Sequence, residues 1–179
     1  MGSADRGRSL LLTGLMGTGK TSAGRQLARR LDRTFIDTDE RVELALGLPV
    51  AEIFSDRGED VFRAAESAVL VALPPRGSVI ALGGGAIVSS VNREVLREKG
   101  TLVWLDATPE TLADRLGPNS PRPLLAGLDR AELEEKLRAL AGARAEAYAS
   151  ADVRVATDGL GASETATAVL EALGWGGAT

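Results

Sequence analysis

The sequence contains neither cysteine nor histidine, and aromatic side chains make up only 3% of its 179 residues. The first absence excludes disulfides, thiolate metal sites and cysteine nucleophiles; the second removes imidazole as a base, a nucleophile or a metal ligand. Chemistry is left to carboxylates, lysine, arginine, hydroxyls and a borrowed metal ion. With so few rings the core must be built from Leu, Val, Ile and Ala, and there are few aromatics on which bases could stack. Together with a formal charge of −4, this disfavours a nucleic-acid partner. Long hydrophobic runs are missing as well. No apolar stretch approaches a membrane span, and Met1-Gly2-Ser3-Ala4-Asp5-Arg6 carries neither an apolar signal core nor the Ser/Thr of a myristoylation signal. The expectation is a cytoplasmic monomer with no membrane partner.

What is present is a globular composition, 44% hydrophobic and 26% charged, in a chain of one domain's length. Gly14-Leu15-Met16-Gly17-Thr18-Gly19-Lys20-Thr21 satisfies G-x-x-x-x-G-K-[ST], a phosphate-cradling loop, with an apolar strand before it and a helical pattern after it. Glycines let backbone N–H groups turn inward on phosphate oxygens, and the following helix adds its positive end. Gly14, Gly17, Thr18, Gly19, Lys20, Thr21 and Ser22 are therefore candidate ATP-binding residues. Lys20 is expected to reach the β- and γ-phosphates and the Thr21 hydroxyl to ligate Mg²⁺.

Along the chain, periodicity and breakers predict strands at 9–13, 34–36, 78–82, 101–106 and 152–156, alternating with helices. The fold class is α/β, a three-layer αβα sandwich on a five-stranded parallel sheet, in a single domain. Strand two runs into Asp37-Thr38-Asp39, where acidic residues either face the ligand crevice or cap the next helix. Helices are expected at 40–46, 50–55 and 59–73, more than a crossover needs, so part of about 38–73 forms a small lobe. Arg63 and Glu66 stand at i and i+3 on the last of these, as partners or as a solvated face. Gly83-Gly84-Gly85 ends strand three, allowing close approach to a ligand or making a loose turn. Asp106, ending strand four, reads either as a metal-holding acid or as the cap of the helix at Pro109. The proline-rich stretch 117–127 is a candidate lid with Arg122 as a cationic finger, or else a solvated loop.

These stretches together resemble the shikimate kinases. The resemblance rests on 14–21, on Asp37-Thr38-Asp39, on Ile53-Phe54 through Gly58-Glu59 to Phe62-Arg63 and Glu66, on Gly83-Gly84-Gly85, on Arg122-Pro123-Leu124-Leu125, and on Arg144 with Tyr148. It implies a P-loop kinase fold of the nucleoside monophosphate kinase type and ATP-dependent phosphorylation of the 3-hydroxyl of shikimate in aromatic amino acid biosynthesis. It further implies that Arg63 and Arg144 bind the shikimate carboxylate, that Asp39 accepts hydrogen bonds from ring hydroxyls, and that Gly84 and Gly85 offer backbone N–H groups. Glu66 would support Arg63, Asp37 would hold Mg²⁺ through a water, and Arg115 would stack on adenine. Lys20, Asp39 and Arg122 are the implied catalytic residues. Rival readings are a gluconate kinase, a nucleoside monophosphate kinase, and a non-catalytic nucleotide-binding module. The absence of histidine motifs after strand two disfavours the first, and the lack of an N-K-x-D guanine motif disfavours a GTPase switch.

Overall fold

A computed structural model describes residues 6–117, 125 and 127–176. Among these, five strands form one parallel sheet: β1 (Ser9–Thr13), β2 (Thr34–Asp37), β3 (Ser78–Ala81), β4 (Gly100–Asp106) and β5 (Val153–Ala156), in the order β2-β3-β1-β4-β5. β1 is central and all five of its residues are buried, which is why it reads as a continuous apolar run rather than an alternating one. Its side chains divide between the two faces. Leu10 and Leu12 join Ala23 and Leu27 of α1 (Lys20–Leu31) and Ala166 and Val169 of α8 (Ala162–Ala172). Leu11 joins Leu96 of α5 (Ser90–Lys99), Leu112 of α6 (Pro109–Leu116), and Leu133 and Leu137 of α7 (Arg130–Ala149) on the other face. Two apolar layers around a parallel sheet are the expected three-layer sandwich.

Between β2 and β3 the chain forms α2 (Thr38–Leu46), α3 (Val50–Glu52), a π-helical turn (Ile53–Arg57) and α4 (Glu59–Val71). Val42, Ile53 and Phe62 make a small core of their own, with Phe54 tilted against Phe62 at 4.7 Å between ring centroids. The expected regular helix at 50–55 is thus a three-residue helix followed by a π turn. The wider turn buries Ile53 in this core while Phe54 stays partly exposed beside it, and a 3.6-residue reading cannot see the extra residue per turn. The first of these helices starts at Thr38 rather than residue 40, because Asp37 caps it by accepting a hydrogen bond from the Asp39 amide at 3.0 Å.

The loop after β1, Asp37 at the end of β2 and the glycines after β3 all lie at the carboxyl edge of the sheet. In parallel sheets that edge is where ligands bind.

Candidate active site

The loop after β1 is fixed by its own backbone. Gly14 has φ +138°, and a Cβ there would lie 2.2 Å from the Leu105 carbonyl oxygen, so only glycine lets the loop pass this close to β4. Thr18 closes the turn, its hydroxyl donating to the Leu15 carbonyl at 2.8 Å. The Lys20 ammonium donates to the carbonyls of Gly14 and Leu15 at 2.8 and 2.9 Å, which sets it across the mouth of the loop. α1 starts there with Gly19 in the cap position and no side chain capping it, so its first N–H groups face the loop's interior. The Thr21 hydroxyl donates to Asp37 Oδ2 at 2.8 Å. Asp37 therefore meets both expectations at once, capping α2 with one oxygen and facing the phosphate loop with the other.

Among the described residues, two cavities are lined by both Lys20 and Thr21 of this loop. The larger, about 450 Å³, is lined by Gly17, Thr18, Gly19, Lys20, Thr21 and Ser22 together with Arg115, Leu160 and Gly161. Arg115, in the last turn of α6, donates to the carbonyls of Gly17 (3.3 Å), Thr157 and Leu160 (3.1 Å) and to the Thr157 hydroxyl (3.1 Å). Those acceptors hold the guanidinium at the cavity's edge. The 157–161 segment was not singled out in the sequence, although it follows β5 at the same carboxyl edge and that position alone would have flagged it. Asp158 ties it down by accepting from the Thr108 amide and hydroxyl, both at 2.9 Å, and hydrogen bonds from Thr111 and Thr108 hold its carboxyl below the usual range.

The second cavity, about 160 Å³, is lined by Lys20, Thr21, Asp37, Asp39, Arg63, Glu66, Gly83, Gly84, Gly85 and Arg144, with Met16, Val50, Phe54 and Phe62 as apolar wall. Every sequence-predicted acceptor residue is among them. Arg63 pairs with Glu66 at 2.8 Å and with Glu59 at 3.1 Å, so the i, i+3 pair joins a half-buried guanidinium to a buried carboxylate and is not a solvated face. Glu66 is 1% exposed. Burial pushes its carboxyl above the ordinary range, with Arg63 opposing the rise and the neighbouring Asp39 charge adding to it.

The three glycines are no loose turn. A Cβ on Gly83 would lie 2.6 Å from Asp39 Oδ1 and 2.7 Å from Glu66 Oε1, and one on Gly85 would lie 2.8 Å from Arg63 Nη1. Gly83 was not expected to matter individually, yet its missing side chain is what admits both carboxylates, and its N–H donates to the Thr38 hydroxyl at 2.9 Å. The Gly84 carbonyl accepts from Arg144 Nη1 at 3.0 Å and from the Tyr148 hydroxyl at 2.8 Å. Gly14 supports the site from behind, through its bond with Lys20.

Asp106 does not cap the helix at Pro109. Thr108 caps α6, and Asp106 pairs with Arg154 at 2.5 Å across β4 and β5. Arg122 and most of the 117–127 stretch lie outside the described residues. No helix among the described residues is long and apolar enough to cross a membrane.

The arrangement juxtaposes a phosphate loop with a small cavity bearing two arginines and three carboxylates, suited to a compact anion rich in hydroxyls. Comparison with known proteins agrees. A family model described as shikimate kinase matches residues 16–174. A shikimate kinase of Moorella thermoacetica is 45% identical over 92% of this chain and 94% of its own length, and one of Symbiobacterium thermophilum is 46% identical over 92% and 95%. Among solved structures, shikimate kinase from Acinetobacter baumannii in complex with shikimate superimposes with a TM-score of 0.83 at 35% identity, covering 92% of this chain and 91% of that one.

Proposed function

The chain belongs to the shikimate kinase family, and on that premise we propose which of its residues carry the reaction. It is an ATP-dependent kinase acting on shikimate, transferring the γ-phosphoryl group to the 3-hydroxyl. ATP phosphates occupy the loop from Gly14 to Ser22, with adenine against Arg115 in the larger cavity. Shikimate occupies the smaller one. Its carboxylate is met by Arg63 and Arg144, whose planar guanidinium forks suit bidentate pairing, and its hydroxyls by Asp39 and the backbone of Gly84 and Gly85. The observation that carries this reading is that Lys20 and Thr21 line both cavities. A phosphoryl group bound there has the nucleotide on one side and the acceptor on the other.

The donor set suits Mg²⁺: the Thr21 hydroxyl at the start of α1 and the Asp37 carboxylate at the end of β2, 2.8 Å apart, are hard oxygen donors that would hold the ion, Thr21 directly and Asp37 through a water. When bound with ATP, the ion neutralises charge on the phosphates. Phosphoryl transfer has a loose transition state with little bond formation to the nucleophile, so early deprotonation contributes little. Asp39 therefore acts mainly by orienting the hydroxyl and receives its proton late. Lys20 neutralises charge on the moving group, and positioning with electrostatics supplies most of the acceleration. The fold works as one kinase domain in the cytoplasm, as a monomer, with α2 to α4 as its substrate-binding lobe. The role proposed for Arg122, neutralising charge on the same group, rests on the sequence alone.

Arg63→Ala tests the assignment. Titration calorimetry should find tight shikimate binding abolished and nucleotide affinity retained. Unchanged shikimate affinity would remove Arg63 from the acceptor site.

A further inference from the structure

Tyr148 sits one helical turn after Arg144 on α7 and is 2% exposed. A buried tyrosine usually has a partner for its hydroxyl, and here the partner belongs to the acceptor cavity: the Gly84 carbonyl, at 2.8 Å. The same oxygen accepts from Arg144 Nη1 at 3.0 Å. Two donors from one helix thus use both lone pairs of one carbonyl, which fixes the peptide that joins Gly84 to Gly85 and aims its N–H on the opposite side. Burial pushes the Tyr148 phenol above its ordinary range, so it remains a donor across the working pH.

The ring is held as firmly as the hydroxyl. Tyr148 stacks on Trp104 of β4 with 5.6 Å between centroids and 18° between planes. Arg154 of β5 lies 4.6 Å from the Trp104 ring centroid and is itself paired with Asp106. A continuous set of contacts therefore runs from the edge strand β5, through Arg154, Trp104 and Tyr148 on one face of the sheet, to the acceptor glycines. This explains why Asp106 and Arg154 are where they are without giving either a role at the phosphates.

We infer that Tyr148 is a positioning residue for the acceptor: its hydroxyl, seated by Trp104, holds the Gly84 carbonyl so that the Gly85 N–H faces the ring hydroxyls and the Arg144 guanidinium the bound carboxylate. The inference rests on the acceptor reading of Gly84, Gly85 and Arg144 given above. It concerns shikimate and not ATP, because the Tyr148 hydroxyl bonds to the glycine turn of the acceptor cavity and Tyr148 does not line the larger cavity.

The test is steady-state kinetics on the full chain with both substrates varied. Tyr148→Phe keeps the stack and removes one hydrogen bond; the KM for shikimate should rise roughly tenfold while the KM for ATP stays at its wild-type value. A Tyr148→Phe enzyme with unchanged shikimate KM, or with both KM values raised together, would overturn the inference. Arg144→Ala separates this from the reading beneath it. If that variant leaves shikimate binding intact, the acceptor assignment fails; if it weakens binding while Tyr148→Phe does not, only the role of Tyr148 fails.

Discussion

Glu66 is the most constrained titratable side chain of the acceptor cavity. One of its oxygens binds Arg63 at 2.8 Å, and the other has no hydrogen-bond partner among the described residues. A carboxylate desolvated in this way costs stability when ionised, and its folded-state pKa lies above the ordinary value because burial outweighs the help from Arg63. For a group whose pKa is raised on folding, the associated stability is complete below the unfolded pKa and is lost as pH rises through the folded one. Glu66→Gln removes that loss. Its Tm relative to wild type should therefore climb as pH is raised from the ordinary carboxylate range through neutrality, the direction set by the upward shift. Thermal unfolding of both proteins across this range checks it, and a pH-independent difference would mean that folding leaves the Glu66 pKa unshifted. Such a residue also shows what a sequence leaves out. The i, i+3 spacing of Arg63 and Glu66 is legible in one dimension, but nothing in it reveals that Gly83, seventeen residues further on, would make room for the second carboxylate oxygen.

Elements converge on the site from different parts of the chain, and each brings one function. α1 brings the phosphate loop's positive end, α2 and α4 bring Asp39 and Arg63, α7 brings Arg144 and Tyr148, and α6 brings Arg115 to the 157–161 segment. That last contact is the most isolated from the acceptor. Arg115 is fixed by acceptors from Gly17, Thr157 and Leu160 and lines only the larger cavity. Arg115→Ala should raise the KM for ATP about tenfold or more, the loss of a stacked cation together with the segment it anchors, and leave the KM for shikimate alone. Initial rates with each substrate varied would decide it; equal effects on both would show that α6 contributes to the whole fold instead of to the nucleotide. Most elements could be read from periodicity and breakers because those signals are local. The exceptions have physical reasons. The π turn at Ile53–Arg57 has no distinct composition, and the capping of α2 by Asp37 looked like a rival to ligand binding although one carboxylate has oxygens enough for both.

At the scale of the molecule, a central strand buried on both faces carries the phosphate loop, and the acceptor cavity is assembled beside it from residues as far apart as Asp39 and Arg144. The fold and the phosphate loop were legible in the sequence because each depends on a short contiguous pattern. The acceptor residues were legible only as an ordered set resembling a family. Their mutual geometry was not, since the bond from Tyr148 to Gly84 spans 64 residues of chain. The central claim is that the two cavities sharing Lys20 and Thr21 form one phosphoryl-transfer site, in which ATP is committed only when shikimate fills the acceptor side. The most direct measurement is ADP release at saturating MgATP as shikimate is titrated from zero. The account predicts negligible release without shikimate and a saturable rise with it, with gluconate and AMP failing to substitute. ADP release that proceeds at the same rate without shikimate would contradict it.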